Sequence, residues 1–191
     1  MITKTAKVGG VFRIAEFSDC MLYRNSLRII WDLTRNPKMF VGLNPSTADQ
    51  DQDDPTVRRC IDYAKRWGCG GLVMANACSY RATDPKVMLS FTGYPIGPEN
   101  TIEYLKLLAA FCAGRPIAAW GKNLLKVHGG KGQRVNRHDL LIRAIEFDCL
   151  RVNKDGTPAH PLYLPATLMP APFNYGKGET NAWRGDSVPL V

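Results

Sequence analysis

Met39-Phe40-Val41-Gly42-Leu43-Asn44-Pro45-Ser46 is an apolar run that closes abruptly on a glycine, an amide and a proline. The run is too short for a helix and is bounded by turn residues, which predicts a buried strand. Gly42 permits another group to approach the backbone closely, and Pro45 fixes the direction in which the chain leaves. Asn44 then stands at the carboxyl end of a core strand, where open α/β sheets bind their ligands. Two readings of Asn44 stay open on this stretch alone. It closes an Asx turn, as Asn-Pro pairs commonly do, or its amide holds a water or reads the polar edge of a ligand.

Upstream, Val11 to Phe17 and Tyr23 to Trp31 are strand-like runs joined around Ser18-Asp19-Cys20, which predicts an antiparallel hairpin. The charges in Arg24-Asn25-Ser26-Leu27-Arg28 put one face of the second run in water, and residues 1–8 read as a loose start. Downstream, Asp54 caps a helix that opens on Pro55, buries Val57, Cys60, Ile61 and Ala64, and stops at Gly68. Arg58, Arg59, Lys65 and Arg66 lie mostly off that stripe, as a solvated face or, as the lesser reading, as phosphate contacts. Leu72 to Ala75 is a second buried strand, and it too ends in an amide, Asn76. An irregular loop with Tyr80, Arg81, Phe91 and Tyr94 runs from there to about Gly97.

A helix over Glu99–Cys112, a strand over Pro116–Trp120, a helical turn over Lys122–Val127 and a helix over Asp139–Phe147 follow. A strand over Cys149–Val152 leads to His160-Pro161, and from Pro165 the chain becomes an irregular tail. This order predicts a helix-flanked α/β sheet, parallel in its middle. It fits a single domain over residues 1–191, with a core from about 11 to 165 and a tail over 166–191. Asn44, Asn76 and, after a short loop, His160 all follow strands of the parallel part, so their ends share one sheet edge and form a candidate site.

Composition limits the function classes. With 25 Lys and Arg against 17 Asp and Glu, the net charge is +8, which permits nucleic-acid binding. No apolar run reaches bilayer length, and the N-terminus lacks a signal core, so a cytoplasmic protein with no membrane partner is expected. Six cysteines without a C-x-x-C pair read as free thiols in a reducing compartment, and Cys78 as a packing thiol. No metal and no cofactor is expected. Three scattered histidines do not make a metal cluster, and His128 and His138 read as loop residues. Asp49, Asp51 and Asp53 alternate as in a calcium loop, but Asp54 and Cys60 stand where that loop needs Gly and Glu, leaving a solvated loop. The glycine-rich basic stretch 128–138, with Lys131 and Arg134, is either a phosphate contact or a mobile surface loop. Trp31, Trp67, Trp120 and Trp183 read as packing residues.

Taken together, these segments resemble a known superfamily. Gly42-Leu43-Asn44-Pro45 is similar to the first motif of the uracil-DNA glycosylases, especially the Gly-Ile-Asn-Pro of their mismatch-specific uracil/thymine branch. Leu72 through Pro85 resembles that superfamily's second strand and loop, Arg115 through Lys122 its third strand, and His160-Pro161-Leu162-Tyr163-Leu164 its late His-Pro-Ser motif. The order agrees over about residues 38–165, and the full pattern also looks like the DUF1643 family of uncharacterised bacterial and phage proteins.

The resemblance implies a three-layer α/β/α fold. Its central sheet would be mainly parallel, of about four strands, with the antiparallel hairpin added. It implies that Asn44 positions a water and that His160 donates to the departing base. Asn76 would read the imide edge of a flipped pyrimidine, in a pocket that also uses Gly42, Leu43, Pro45, Ser46, Tyr80, Arg81, Pro161 and Leu162. Leu162 or Leu164 would wedge into the stack. Arg81, Lys122, Lys131 and Arg134 would hold phosphates of DNA or of a nucleotide. Asp54-Pro55-Thr56 replaces a segment that usually carries the base-stacking aromatic, leaving Phe91 or Tyr94 as substitutes. The cluster cysteines of the iron–sulphur branch have no counterpart, so no iron–sulphur centre is expected. Ser46 stands where strict uracil enzymes carry a tyrosine, which leaves room for a C5 substituent. Three functions remain open: a base-excising or base-recognising glycosylase-like protein, a non-catalytic nucleic-acid-binding module of the same fold, and a small-molecule nucleoside hydrolase.

Overall fold

A computed structural model describes residues 1–46, 53–127 and 136–175. They form a mixed α/β fold with one eight-stranded sheet and four α-helices. The strands are β1 (Ile2–Val8), β2 (Val11–Phe17), β3 (Arg24–Ile30), β4 (Lys38–Gly42), β5 (Gly71–Asn76), β6 (Ile117–Ala118), β7 (Asp148–Cys149) and β8 (Ala171–Pro172). The helices are α1 (Pro55–Arg66), α2 (Pro85–Ser90), α3 (Ile102–Ala110) and α4 (Arg137–Ala144). Short 3-10 turns cover Lys122–Lys126 and Pro161–Tyr163.

The order across the sheet is β1-β2-β3-β5-β4-β6-β7-β8. β4 pairs in parallel with both β5 and β6, and β6 in parallel with β7. β1, β2 and β3 are antiparallel neighbours, and β3 joins β5 antiparallel. The chain therefore leaves β4 toward β5 on one side and later returns past it to β6 on the other. That reversal opens a crevice at the carboxyl ends of the parallel strands, the place where such sheets hold ligands.

At β4 and β5 side chains pack against helices from both faces of the sheet. Phe40, Leu72 and Met74 pack with Val57, Cys60 and Tyr63 of α1. The residues that alternate with them, Met39, Val41, Val73 and Ala75, pack with Leu105 and Leu108 of α3 and Leu141 of α4. α1 begins where its sequence predicts: Asp54 accepts a hydrogen bond from the Val57 N–H at 2.8 Å, and Pro55 follows. All six cysteines are free thiols. Among the described residues, no helix is long and apolar enough to cross a membrane.

Several expectations need correction. Residues 2–8 are not a loose start but a full strand, paired with β2 from Ile2↔Phe17 to Val8↔Val11. Gly9 and Gly10 both have positive φ and make the tight turn that a right-twisted hairpin needs. The first four residues of β3, Arg24 to Leu27, are buried and Arg28 is half-buried, so only the end of the charged segment reaches water. The loop after Asn76 contains α2, capped by Asp84. The tail is not wholly irregular either: Ala171 and Pro172 add β8 to the sheet, and Phe173 packs on the core. His138 is not a loop residue, since it lies fully buried in the first turn of α4 and accepts the Trp120 indole N–H at 3.1 Å. Of the residues singled out in the sequence, Asp49, Asp51, His128, Lys131, Arg134 and Trp183 lie outside the described residues.

Candidate functional site

A cavity of about 780 Å³ opens at the carboxyl ends of β4, β5, β6 and β7. That volume suits a nucleoside or nucleotide. Gly42 through Ser46, Asn76, Lys122, His160 and Leu162 line it, so the cavity collects Asn44, Asn76 and His160. Met74 and the buried Trp120 are apolar parts of its wall.

The two amides are held by their backbones. Ala77 and Cys78 donate their N–H groups to the carbonyls of Gly42 and Leu43, and Ala82 donates to Pro45, so the segments after β4 and β5 stay stitched together beyond the sheet. Asn44 spans that seam: its Nδ2 donates to Ala82 O at 2.8 Å and Pro45 O at 3.2 Å. The geometry is not an Asx turn, in which the side-chain oxygen would accept. It leaves Oδ1 of Asn44 as the acceptor for a ligand or water.

Gly42 lies opposite Asn76 in the parallel register. A Cβ at position 42 would come within 2.8 Å of Asn76 Oδ1, so the glycine exists to admit that side chain. Asn76 is 4% exposed, and among the described residues nothing hydrogen-bonds its amide. Its backbone is clamped instead. Asn100 donates to the carbonyls of Asn76 and Ala77, and the buried guanidinium of Arg137 donates to Ala77 O and Asn100 O. A buried amide with a fixed backbone and no partner among the described residues is poised to donate and accept toward a bound group.

His160 opens the 3-10 turn Pro161–Tyr163, with its Nδ1 accepting from the Leu162 N–H at 3.4 Å. In the neutral ring the proton then sits on Nε2, which becomes the donor. Burial lowers the pKa of His160, against a smaller upward pull from Asp54, so the ring is neutral at pH 7.

Asp54 and Arg24 are two cavity residues that sequence reasoning missed as site residues. One carboxylate oxygen of Asp54 caps α1, and the other accepts from Ser46 Oγ at 3.0 Å. Capping is legible from Asp-Pro; the contact with Ser46 is long-range and is not. Arg24 is 5% exposed in the wall. Burial pushes its pKa down to about 10, with Asp54 pulling the other way. A charged residue at the start of a strand carries no sequence signal for such a position.

Other expected contacts do not meet the cavity. Tyr80 stacks on Phe91 at a centroid distance of 3.9 Å, and Arg81 lies over the Phe17 ring at 5.1 Å; neither lines the cavity. Phe91 and Tyr94 do not line it either, whereas Thr56 does. Pro161 and Leu164 are buried away from it, while Tyr163 stands 84% exposed at its rim. Burial holds the Cys78 thiol up at about 12, as suits a packing residue.

Neither a curated protein nor a solved structure matches the chain. A family model described as "Protein of unknown function (DUF1643)" matches residues 24–162, from β3 to the turn that carries His160, and the chain belongs to that family.

Proposed function

We propose that the cavity binds a pyrimidine base, presented by DNA or a nucleotide, and that the chain is glycosylase-like, cleaving the bond between that base and its sugar. The observation that carries this reading is the convergence of Asn44, Asn76 and His160 on one cavity of about 780 Å³. The finer description of the scaffold, a three-layer α/β/α fold of the uracil-DNA glycosylase type, and a place in the reducing cytoplasm belong to the same proposal.

In this reading Asn76 donates to one imide carbonyl and accepts from the imide N–H. The C1′–N1 bond breaks with its electron pair moving onto the base. His160 donates Nε2–H to the base carbonyl oxygen as negative charge builds there, a stabilisation that needs no full proton transfer. Asn44 Oδ1 orients the water that attacks C1′. The proton this water loses passes through solvent to the base anion, so that the neutral base departs. The Asp54 carboxylate favours the cationic character of the sugar. Ser46 leaves space beside C5, so thymine-like or modified pyrimidines fit.

One observation favours a second reading, a non-catalytic module. Thr56 lines the cavity where an aromatic would stack on the base. Incubation with single-stranded DNA bearing uracil or a modified pyrimidine, followed by alkaline cleavage, separates the two. Strand breaks that disappear in His160→Ala support excision. Binding without abasic sites on any base tested supports the module and overturns excision.

A further inference from the structure

We propose that the rim of the cavity is a binding strip for a single-stranded polynucleotide, with Tyr163 as the stacking platform for the neighbouring base and Lys122, Arg151 and Lys154 as phosphate contacts. This rests on the base-binding reading of the cavity and names the form in which the base arrives.

Tyr163 is the first observation. Its side chain is 84% exposed although its backbone is anchored. Pro161 and Leu164 on either side of the turn are buried, and the Leu164 N–H donates to Pro161 O. Tyr63 of α1 donates its hydroxyl to Pro165 O at 2.7 Å, and Arg59 donates to Leu164 O. The ring therefore projects from a fixed support. Its centroid lies 6.4 Å from that of His160, on the same turn. A base on Tyr163 and a base beside His160 are thus neighbours along one strand.

The cations are the second observation. Lys122, Arg151 and Lys154 are exposed and line the cavity. Arg151 and Lys154 sit in a tight hairpin after β7. There Asn153 N–H donates to Thr157 O, Gly156 N–H donates to Asn153 O, and Asn153 Nδ2 donates to Thr157 Oγ1 at 3.0 Å. Two carboxylates also line the cavity. Asp155 is engaged by the Thr157 N–H and hydroxyl, and Asp54 caps α1. An exposed ring and three exposed cations around one cavity are the elements that hold single strands: bases stack, phosphates pair, and sequence matters little. A free nucleoside has no use for the strip, and in a duplex the neighbouring base is already stacked and paired.

The test uses the whole chain, with oligothymidylate, oligouridylate, a duplex of mixed sequence and free thymidine as probes. Oligomer binding is followed by fluorescence anisotropy across salt concentrations, and thymidine binding by calorimetry. The strip predicts that a single-stranded oligomer binds more tightly than the duplex. It also predicts that log K falls with log salt at a slope of roughly −2 for three phosphate contacts. Tyr163→Ala weakens oligomer binding roughly tenfold, and Tyr163→Trp restores it. Replacing Lys122, Arg151 and Lys154 together by Gln flattens the salt dependence. Because these four residues also line the cavity, thymidine affinity is the reference, and in every variant it falls by a smaller factor than oligomer affinity. An equal loss for both probes overturns the strip. Thymidine binding without any salt-dependent oligomer binding overturns the strip and leaves the base-binding reading intact. Tighter binding of the duplex, or an oligomer affinity indifferent to Tyr163, also overturns the strip. Failure to bind any probe overturns both.

Discussion

Two partly buried groups of polar side chains, one in the antiparallel half and one at the cavity, differ in what completes them. In the antiparallel half, the Glu16 carboxylate accepts from Ser26 Oγ at 2.6 Å, Tyr104 OH at 2.7 Å and Arg28 at 2.6 Å. Burial pushes its pKa up, yet those hydrogen bonds and the Arg28 charge outweigh it, and the carboxyl titrates below its ordinary value. That network ties β2 and β3 to α3 and is closed by protein groups. At the carboxyl edge of the parallel strands, Asn76, Asn44 Oδ1 and His160 Nε2 face an open volume, with no acceptor or donor for them among the described residues. Polar groups that satisfy one another hold a fold together, whereas polar groups aimed at space await a ligand.

The contrast is open to direct attack. The largest effect expected is on chemistry. His160→Ala removes the donor at the developing base anion and lowers the rate of abasic-site formation by about 10²–10³-fold. An unchanged rate in a gel assay would remove His160 from the mechanism. Next comes stability. Glu16→Ala strands the Tyr104 and Ser26 hydroxyls and the Arg28 charge, costing about 2–3 kcal/mol in denaturant unfolding. The folded fraction should bind base normally. If Asn76→Ala destabilised the protein as much, the distinction between the two clusters would collapse. A smaller effect is expected at Gly42→Ala. Its Cβ would displace an amide 2.8 Å away, weakening base binding about tenfold, or ~1.4 kcal/mol. Calorimetric titration with thymidine reads that loss.

The smallest effect is a shallow pH dependence. Burial lowers the pKa of both His138 and His160, so the native state binds fewer protons than the unfolded chain near the unfolded histidine value of about 6.5. Stability should hold above that pH and decline as pH falls through it, and His138→Gln or His160→Gln should each flatten part of the decline. Urea unfolding across the range checks the sign.

How far the sequence reveals this contrast depends on the range of each interaction. β4 and β5 are legible because a short run buried on both faces, closed by Asn or Pro, has few other readings. β1 is not, because an edge strand buries little and its alternation is filled by Thr, Lys and Ala; only Gly9-Gly10 announces it. The convergence of Asn44 and Asn76 follows from parallel order, whereas His160 reaches the same edge through the hairpin after β7. The pairing of Gly42 with Asn76 needs the register, and the Glu16 network needs three separate elements, so neither is local. Tyr80 and Arg81 mislead because nearness in sequence to Asn76 says nothing of direction: one ring turns to Phe91, the guanidinium to Phe17.

Titration of isotope-labelled protein with thymidine tests the base-binding account most directly, following the side-chain amide of Asn76 and the ring protons of His160 by NMR. Saturable shifts at both groups are predicted, together with loss of affinity in an Asn76→Ala variant that keeps its fold. Shifts confined to other residues, or an undiminished affinity in that variant, would contradict the account.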